Sequence, residues 1–113
     1  MIVVTNAIRV KKGTGRDIEE RFAEPKHVHL MPGFVSLELL KNAKAEEHDE
    51  YYLRTAWEDE DSFANWTKSE AFKRAHARRE EERQAGVESN VLNVHVTIAE
   101  VVHHHVAPSI QEA

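Results

Sequence analysis

Residues Ile2–Val10, IVVTNAIRV, decide the fold. The run alternates and is rich in β-branched residues, so it reads as a β-strand. Side chains along a strand point alternately to opposite faces. Ile2, Val4, Asn6, Ile8 and Val10 therefore form one row, and Val3, Thr5, Ala7 and Arg9 form the other. Both rows carry apolar residues, so the sheet this strand enters needs cover on both faces. Asn6 breaks the first row. A buried amide without hydrogen-bond partners costs roughly 1–3 kcal/mol. Asn6 is then either an amide satisfied by nearby backbone or a bound water, or a polar group facing a ligand cavity. The strand alone leaves both readings open.

Working outward, KKGTG at 11–15 is a turn, and Arg16–Ala23 follows as a helix with Ile18 and Phe22 at i, i+4. Pro25 ends that helix near Ala23 or Glu24. MPG at 31–33 is a second turn signal, leading to a strand at Phe34–Lys41. A polar loop, Asn42–Asp49, leads to a third strand, Glu50–Trp57. A helix then starts after Trp57, with Asp59 or Asp61 among its possible caps, and Phe63 and Trp66 fall at i, i+3. A further helix follows at once. Thr67 and Glu70 have capping-box spacing and Ser69 competes as the cap. It runs to about Arg83 or Gln84, with Gly86 as a stop, and Asn90–Val102 is a long alternating final strand.

The order βαββαβ implies an α+β, ferredoxin-like sheet with its helices on one face. Residues 1–102 make one domain and 103–113 a loose C-terminal tail. In the last strand Leu92, Val94, Val96 and Ile98 oppose Val91, Ala99 and Val101. The helices cover one face, and a second copy of the sheet is the simplest cover for the other. A homodimer with sheets face to face is the expectation.

Composition narrows the function. The chain has 113 residues, 41% hydrophobic and 31% charged, as expected of a globular protein. A formal charge of -5 argues against nucleic acid or an anionic membrane as the main partner. With no cysteine, disulfides, iron–sulfur clusters and thiolate catalysis are excluded. MIVVTNAIRV has no basic segment before its apolar run and no cleavage-like site, and no run approaches the ~18 apolar residues of a membrane span. The expectation is a soluble, cytoplasmic protein. Gly-rich phosphate loops, G-x-S-x-G and H-E-x-x-H are all missing from the sequence.

Two residues in the polar stretch NWTKSEAFKRAHARREEER, 65–83, stand out. Trp66 lies where the two helical pieces meet, and a Trp in a small domain is most often core. His76 follows Phe72 by four residues, so both share a helix face, with Ala75 leaving room beside them. Such a His is either a structural histidine or an imidazole offered to a metal or a haem iron. His27 and His29 fall near the Pro25 break in a loop. His103, His104 and His105 form a terminal tract lacking a carboxylate or Cys at ligand spacing, read as accidental. ARREEER, 77–83, reads as a solvated face with Glu80–Arg83 as one i, i+3 pair.

Taken together, VVTNAIRVKKGTG at 3–15, Arg21–Phe22, MPGF at 31–34 and the run from Trp57 through NWTKSEAFKRAH resemble an IsdG-type haem-degrading monooxygenase of the dimeric α/β-barrel superfamily. The resemblance spans about residues 1–102 and is most specific in the stretch ending at His76. It implies haem bound between sheet and helices, one per subunit, as substrate and cofactor. It carries the family's site residues to Asn6, Trp66 and His76. His76 is the implied axial iron ligand. Trp66 is implied to press on the porphyrin, and Asn6 to donate a hydrogen bond to the oxygen being activated. Phe22 is an implied pocket wall. The resemblance further implies that O2 attacks the ring, which opens and releases iron, with electrons from an external reductase or small-molecule reductant, since no flavin- or nicotinamide-binding motif is present. The alternatives are a haem-binding or buffering protein without turnover, and a cofactor-free monooxygenase of the same fold.

Overall fold

In a computed structural model, residues 1–25, 27–86 and 89–108 are described; the side chains of residues 78, 79, 82 and 83 are not. The strands are β1 (Ile2–Lys11), β2 (Phe34–Lys41), β3 (His48–Trp57) and β4 (Val91–Glu100). The helices are α1 (Gly15–Arg21), α2 (Glu60–Thr67) and α3 (Glu70–Gln84), with a short 3-10 turn at Val28–Leu30. The strands form one antiparallel sheet in the order β2-β3-β1-β4. This is the expected α+β, ferredoxin-like arrangement.

Register follows the alternation. On β1 the row Ile2, Val4, Ile8 and Val10 is buried beneath the helices, with Ile18 of α1 and Trp57 of β3. Trp57 is fully buried; its ring meets Phe34 and Phe63 edge-on, at 5.5 and 5.9 Å between centroids. Its indole N–H donates to the Thr55 hydroxyl at 3.0 Å, so burial leaves no donor unpaired. Edge-to-face packing of this kind adds about 0.5–1.5 kcal/mol per pair beyond area burial.

The helix ends are set by side chains. Asp59 caps α2: its carboxylate accepts from the Ser62 N–H at 2.8 Å and the Ser62 hydroxyl at 2.7 Å. Those two bonds hold its pKa below the usual aspartate value. At α3 the cap is Ser69, whose hydroxyl oxygen accepts from the Phe72 N–H at 3.2 Å. Thr67 instead donates back to the Ala64 carbonyl at 2.8 Å, so the Thr67–Glu70 capping box does not form. Thr67 belongs to the last turn of α2, and its hydroxyl donates within that helix.

The α1 end is tied to the sheet by two polar anchors. The Asp49 carboxylate accepts from the N–H groups of Gly15 and Gly13, at 3.1 and 2.9 Å; the Gly15 bond is the larger cause of its lowered pKa. Tyr51 lies fully buried under α1 and donates its hydroxyl to Glu19 at 2.6 Å. Burial, then that carboxylate, pushes the phenol up to about 12. A Cβ on Gly15 would collide with the Tyr51 ring, so this close approach demands glycine.

Further details differ from the sequence expectation. β3 starts at His48 rather than Glu50, lengthened by its pairing with β1 out to Lys11. Val28–Leu30 form a 3-10 turn entered through His27 at φ 75°, where a plain loop was expected. The helices also do not cover the whole of their face. α3 packs chiefly on α2, leaving the β4 part of that face open. Val94, Val96 and Ile98, opposite Ile8, Asn6 and Val4, stay 47%, 51% and 52% exposed. Of the tail, residues 103–108 carry no regular structure, and 109–113 lie outside the described residues. Arg83, half of the expected Glu80–Arg83 pair, has no described side chain.

Candidate functional site

The buried core beneath the helices divides in two. One cluster is Ile2, Val4, Val28 and Trp57, with Phe63 and Trp66 of α2 packed on it. The other is Ile8, Val10, Ile18 and Tyr51, with Phe22, Leu39, Leu53 and Val91 around it. Asn6 lies on the seam, between Val4 of the first and Ile8 of the second. Its cross-strand neighbours are Leu53 on β3 and Val96 on β4. It is half-buried, and among the described residues its side-chain amide makes no hydrogen bond. An amide in an apolar row, without a protein partner and reachable from solvent, is available to a ligand.

Beside Asn6 runs the open β4 row of Val94, Val96 and Ile98. These three residues form an apolar floor that no helix covers. The sequence reading assigned them to a covered sheet face and did not single them out. Their signal was the mismatch between a long apolar strand and the polar helix α3 that follows the α2 junction.

Trp66 stands in the last turn of α2, half-buried. Phe72, in the first turn of α3, meets it edge-on at 5.7 Å between centroids with planes at 80°. His76, one turn further, stacks on Phe72 at 4.1 Å and 29°. Its Nδ1 lies 3.1 Å from the Phe72 carbonyl oxygen. A carbonyl only accepts, so a neutral His76 carries its proton on Nδ1 and its lone pair on Nε2. The residue is exposed, and among the described residues its Nε2 has no hydrogen-bond partner.

The structure thus joins Trp66 and His76 through Phe72. No hydrogen bond or ring contact among the described residues ties Asn6 or Phe22 directly to that chain. Phe22 caps the C-terminus of α1 and packs on the second cluster, on the far side of the seam from Trp66. His29 is exposed at the 3-10 turn, and His103 and His105 lie 6.3 Å apart in the tail. Among the described residues no group of three or more His, Cys, Asp or Glu side chains could hold a bare metal ion. A lone imidazole suits a metal that arrives with most of its coordination already filled. No helix among the described residues is long and apolar enough to cross a membrane.

The opposite sheet face carries a broad concavity of about 880 Å³, bordered by Val3, Thr5, Tyr52, Arg54, Ala56 and Ala99. It lies across the sheet from Asn6.

Comparison with known proteins places these features in context. Residues 1–78 match the antibiotic biosynthesis monooxygenase family. A heme-degrading monooxygenase of Halalkalibacterium halodurans is 42% identical over 80 residues, 71% of this chain and 69% of that one. A protein of the same description from Bacillus thuringiensis subsp. konkukian is 37% identical over 97 residues, 86% of each chain. Among solved structures, the heme-degrader MhuD of Mycobacterium tuberculosis, with two hemes bound in its active site, superimposes with a TM-score of 0.66. It is 29% identical, with 94% of this chain and 100% of that one covered.

Proposed function

The chain belongs to the antibiotic biosynthesis monooxygenase family, and within it we propose that this protein is a haem-degrading monooxygenase. Haem is its substrate as well as its cofactor, and the open seam between sheet and helices is the cleft that takes it. The observation that carries this reading is the placement of His76. An exposed imidazole has its Nδ1 proton engaged by a backbone carbonyl and its Nε2 lone pair free.

The surrounding residues fit a porphyrin. The plate is apolar, and the uncovered Val94, Val96 and Ile98 row offers it an apolar floor. Phe22 and Trp66 stand on opposite sides of the seam as aromatic walls. The relatives named for haem degradation, and the haem-bound MhuD structure, support the same assignment.

Each residue has a separate task. His76 gives a neutral nitrogen to the iron, its ring held by Phe72. Trp66 would pack against the bound ring and so bias which meso carbon reacts. Asn6 donates an amide N–H toward the oxygen being activated, a donation no protein acceptor competes for. Bound haem supplies the iron that activates O2 and the ring that is oxidised. Electrons come from an external reductase or a small-molecule reductant, iron is released for acquisition, and the reaction takes place in the cytoplasm.

The other sheet face is closed by a second copy, sheet to sheet. Half-buried Val3, Ala7 and Ala56 and the exposed Val35 and Leu40 there leave apolar surface that a partner sheet would cover. Sedimentation at several concentrations reads this directly: a homodimer is expected, and a monomer at all concentrations rejects it.

The test of function is hemin added to purified protein, then a reductant with catalase present. The expected result is a Soret band that disappears with iron release and a linear tetrapyrrole. A stable Soret band under reduction identifies a haem-buffering protein instead, and no Soret band removes haem altogether. Asn6→Ala is expected to bind haem and stop turnover, and His76→Ala to lose turnover and alter coordination.

A further inference from the structure

His76 is an exposed residue on a helix, and an unsupported imidazole there samples several rotamers. Phe72 removes that freedom in two ways. Its ring lies under the imidazole at 4.1 Å, nearly parallel, and its carbonyl accepts the Nδ1 proton at 3.1 Å. Phe72 is itself fixed, since its N–H is held by the Ser69 cap at 3.2 Å and its ring edge rests on Trp66 at 5.7 Å. Residues i and i+4 of a helix sit one above the other, which is why Ser69, Phe72 and His76 line up from the α2–α3 junction. Phe72 therefore makes the ring contact on both sides of a three-member chain, Trp66–Phe72–His76.

We propose that Phe72 is a positioning residue for haem degradation. Its ring sets the plane of the His76 imidazole, which holds Nδ1 against the residue-72 carbonyl that fixes the tautomer, and links that plane to Trp66, so that the ligand and the ring-pressing indole are oriented together. The proposal rests on His76 being the axial ligand. Phe72 itself acts through His76 and Trp66. Outer partners of a metal ligand typically change affinity or activity by about 10–100-fold when removed.

Phe72→Leu and Phe72→Tyr separate the ring from the backbone. Both leave the residue-72 carbonyl in place for the Nδ1 proton, and Tyr keeps the stacked ring. Phe72→Met provides a volume-conserving third variant if Leu unfolds. The first readout needs no haem: long-range nitrogen–proton correlation of the apoprotein reports the His76 tautomer. Native protein and Phe72→Tyr are expected to show the Nδ1–H form, and Phe72→Leu or Met a mixture with Nε2–H. The second readout is the ferric-haem EPR spectrum, expected to broaden for Leu and Met and return to native width for Tyr. Turnover is expected to fall about 10-fold with Leu and recover with Tyr. If Leu and Met both keep the native tautomer, EPR width and turnover, Phe72 positions nothing. If His76→Ala instead gives an unaltered ferric-haem spectrum, the ligand assignment fails on its own.

Discussion

Asn6 is a polar residue in an apolar strand row, and replacing it with valine should separate its effect on stability from its effect on chemistry. Asn6 occupies one place in a row otherwise made of Ile2, Val4, Ile8 and Val10. Its amide has no protein partner among the described residues and is half-buried. Full burial of an unpaired amide costs roughly 1–3 kcal/mol, and because the Asn6 amide atoms still reach solvent its cost is at most about 1 kcal/mol. Valine removes that cost, suits a strand, and adds apolar contact to Leu53 and Val96. Asn6→Val should therefore stabilise the apoprotein by about 1 kcal/mol, or raise Tm by about 4 °C for a domain this size. The same variant loses the donor and should turn over haem at least 100-fold more slowly, within the range of a lost oxyanion-type donor of about 10²–10³. Urea unfolding at fixed protein concentration and Soret decay under reductant measure the two effects. A less stable Asn6→Val would mean the amide is satisfied by water and structural. Undiminished turnover would remove Asn6 from the chemistry.

Other consequences follow from single contacts. Val96→Asp puts a charge on the open floor without emptying the core, so it should keep the native circular dichroism and weaken hemin binding about 10-fold or more by titration. Asp59→Ala loses both bonds to Ser62 and should lower Tm. Because the folded Asp59 pKa is depressed, its contribution is present above the unfolded value near 3.8 and lost as pH falls through the folded value; Asp59→Ala should flatten stability in that acid window. Tyr51 behaves oppositely. Its folded pKa stands at about 12 against 10.0 unfolded, so stability should fall as pH rises between those values, and Tyr51→Phe should remove that fall in alkaline unfolding curves.

Much of this was legible in the amino-acid order. β1 and β4 are written in alternation, and the two helical pieces around Trp66 show in the polar run that follows Asp59. Asn6, Trp66 and His76 each stood out by breaking a local pattern. The details that escaped depend on contacts between distant segments. Thr67 lies in the last turn of α2 and bonds back to the Ala64 carbonyl, while Ser69 caps α3, a choice the capping-box spacing alone does not reveal. The ordered turn at Val28–Leu30 depends on His27 adopting a positive φ, which residue preferences disfavour. The open β4 row was hidden because alternation reports which side chains share a face. It does not report whether a helix reaches over them. Spacing puts Phe72 on the His76 face, but only the fold sets its ring between Trp66 and His76.

The central claim is that the His76 Nε2 meets a haem iron, and vibrational spectroscopy tests it most directly. Resonance Raman spectra of the ferrous haem complex would be compared for unlabelled protein, nitrogen-15 histidine-labelled protein and His76→Ala. The account predicts an iron–imidazole stretch that shifts with the label and vanishes in His76→Ala. A label-sensitive band that survives in His76→Ala, or no such band in the native complex, would contradict it.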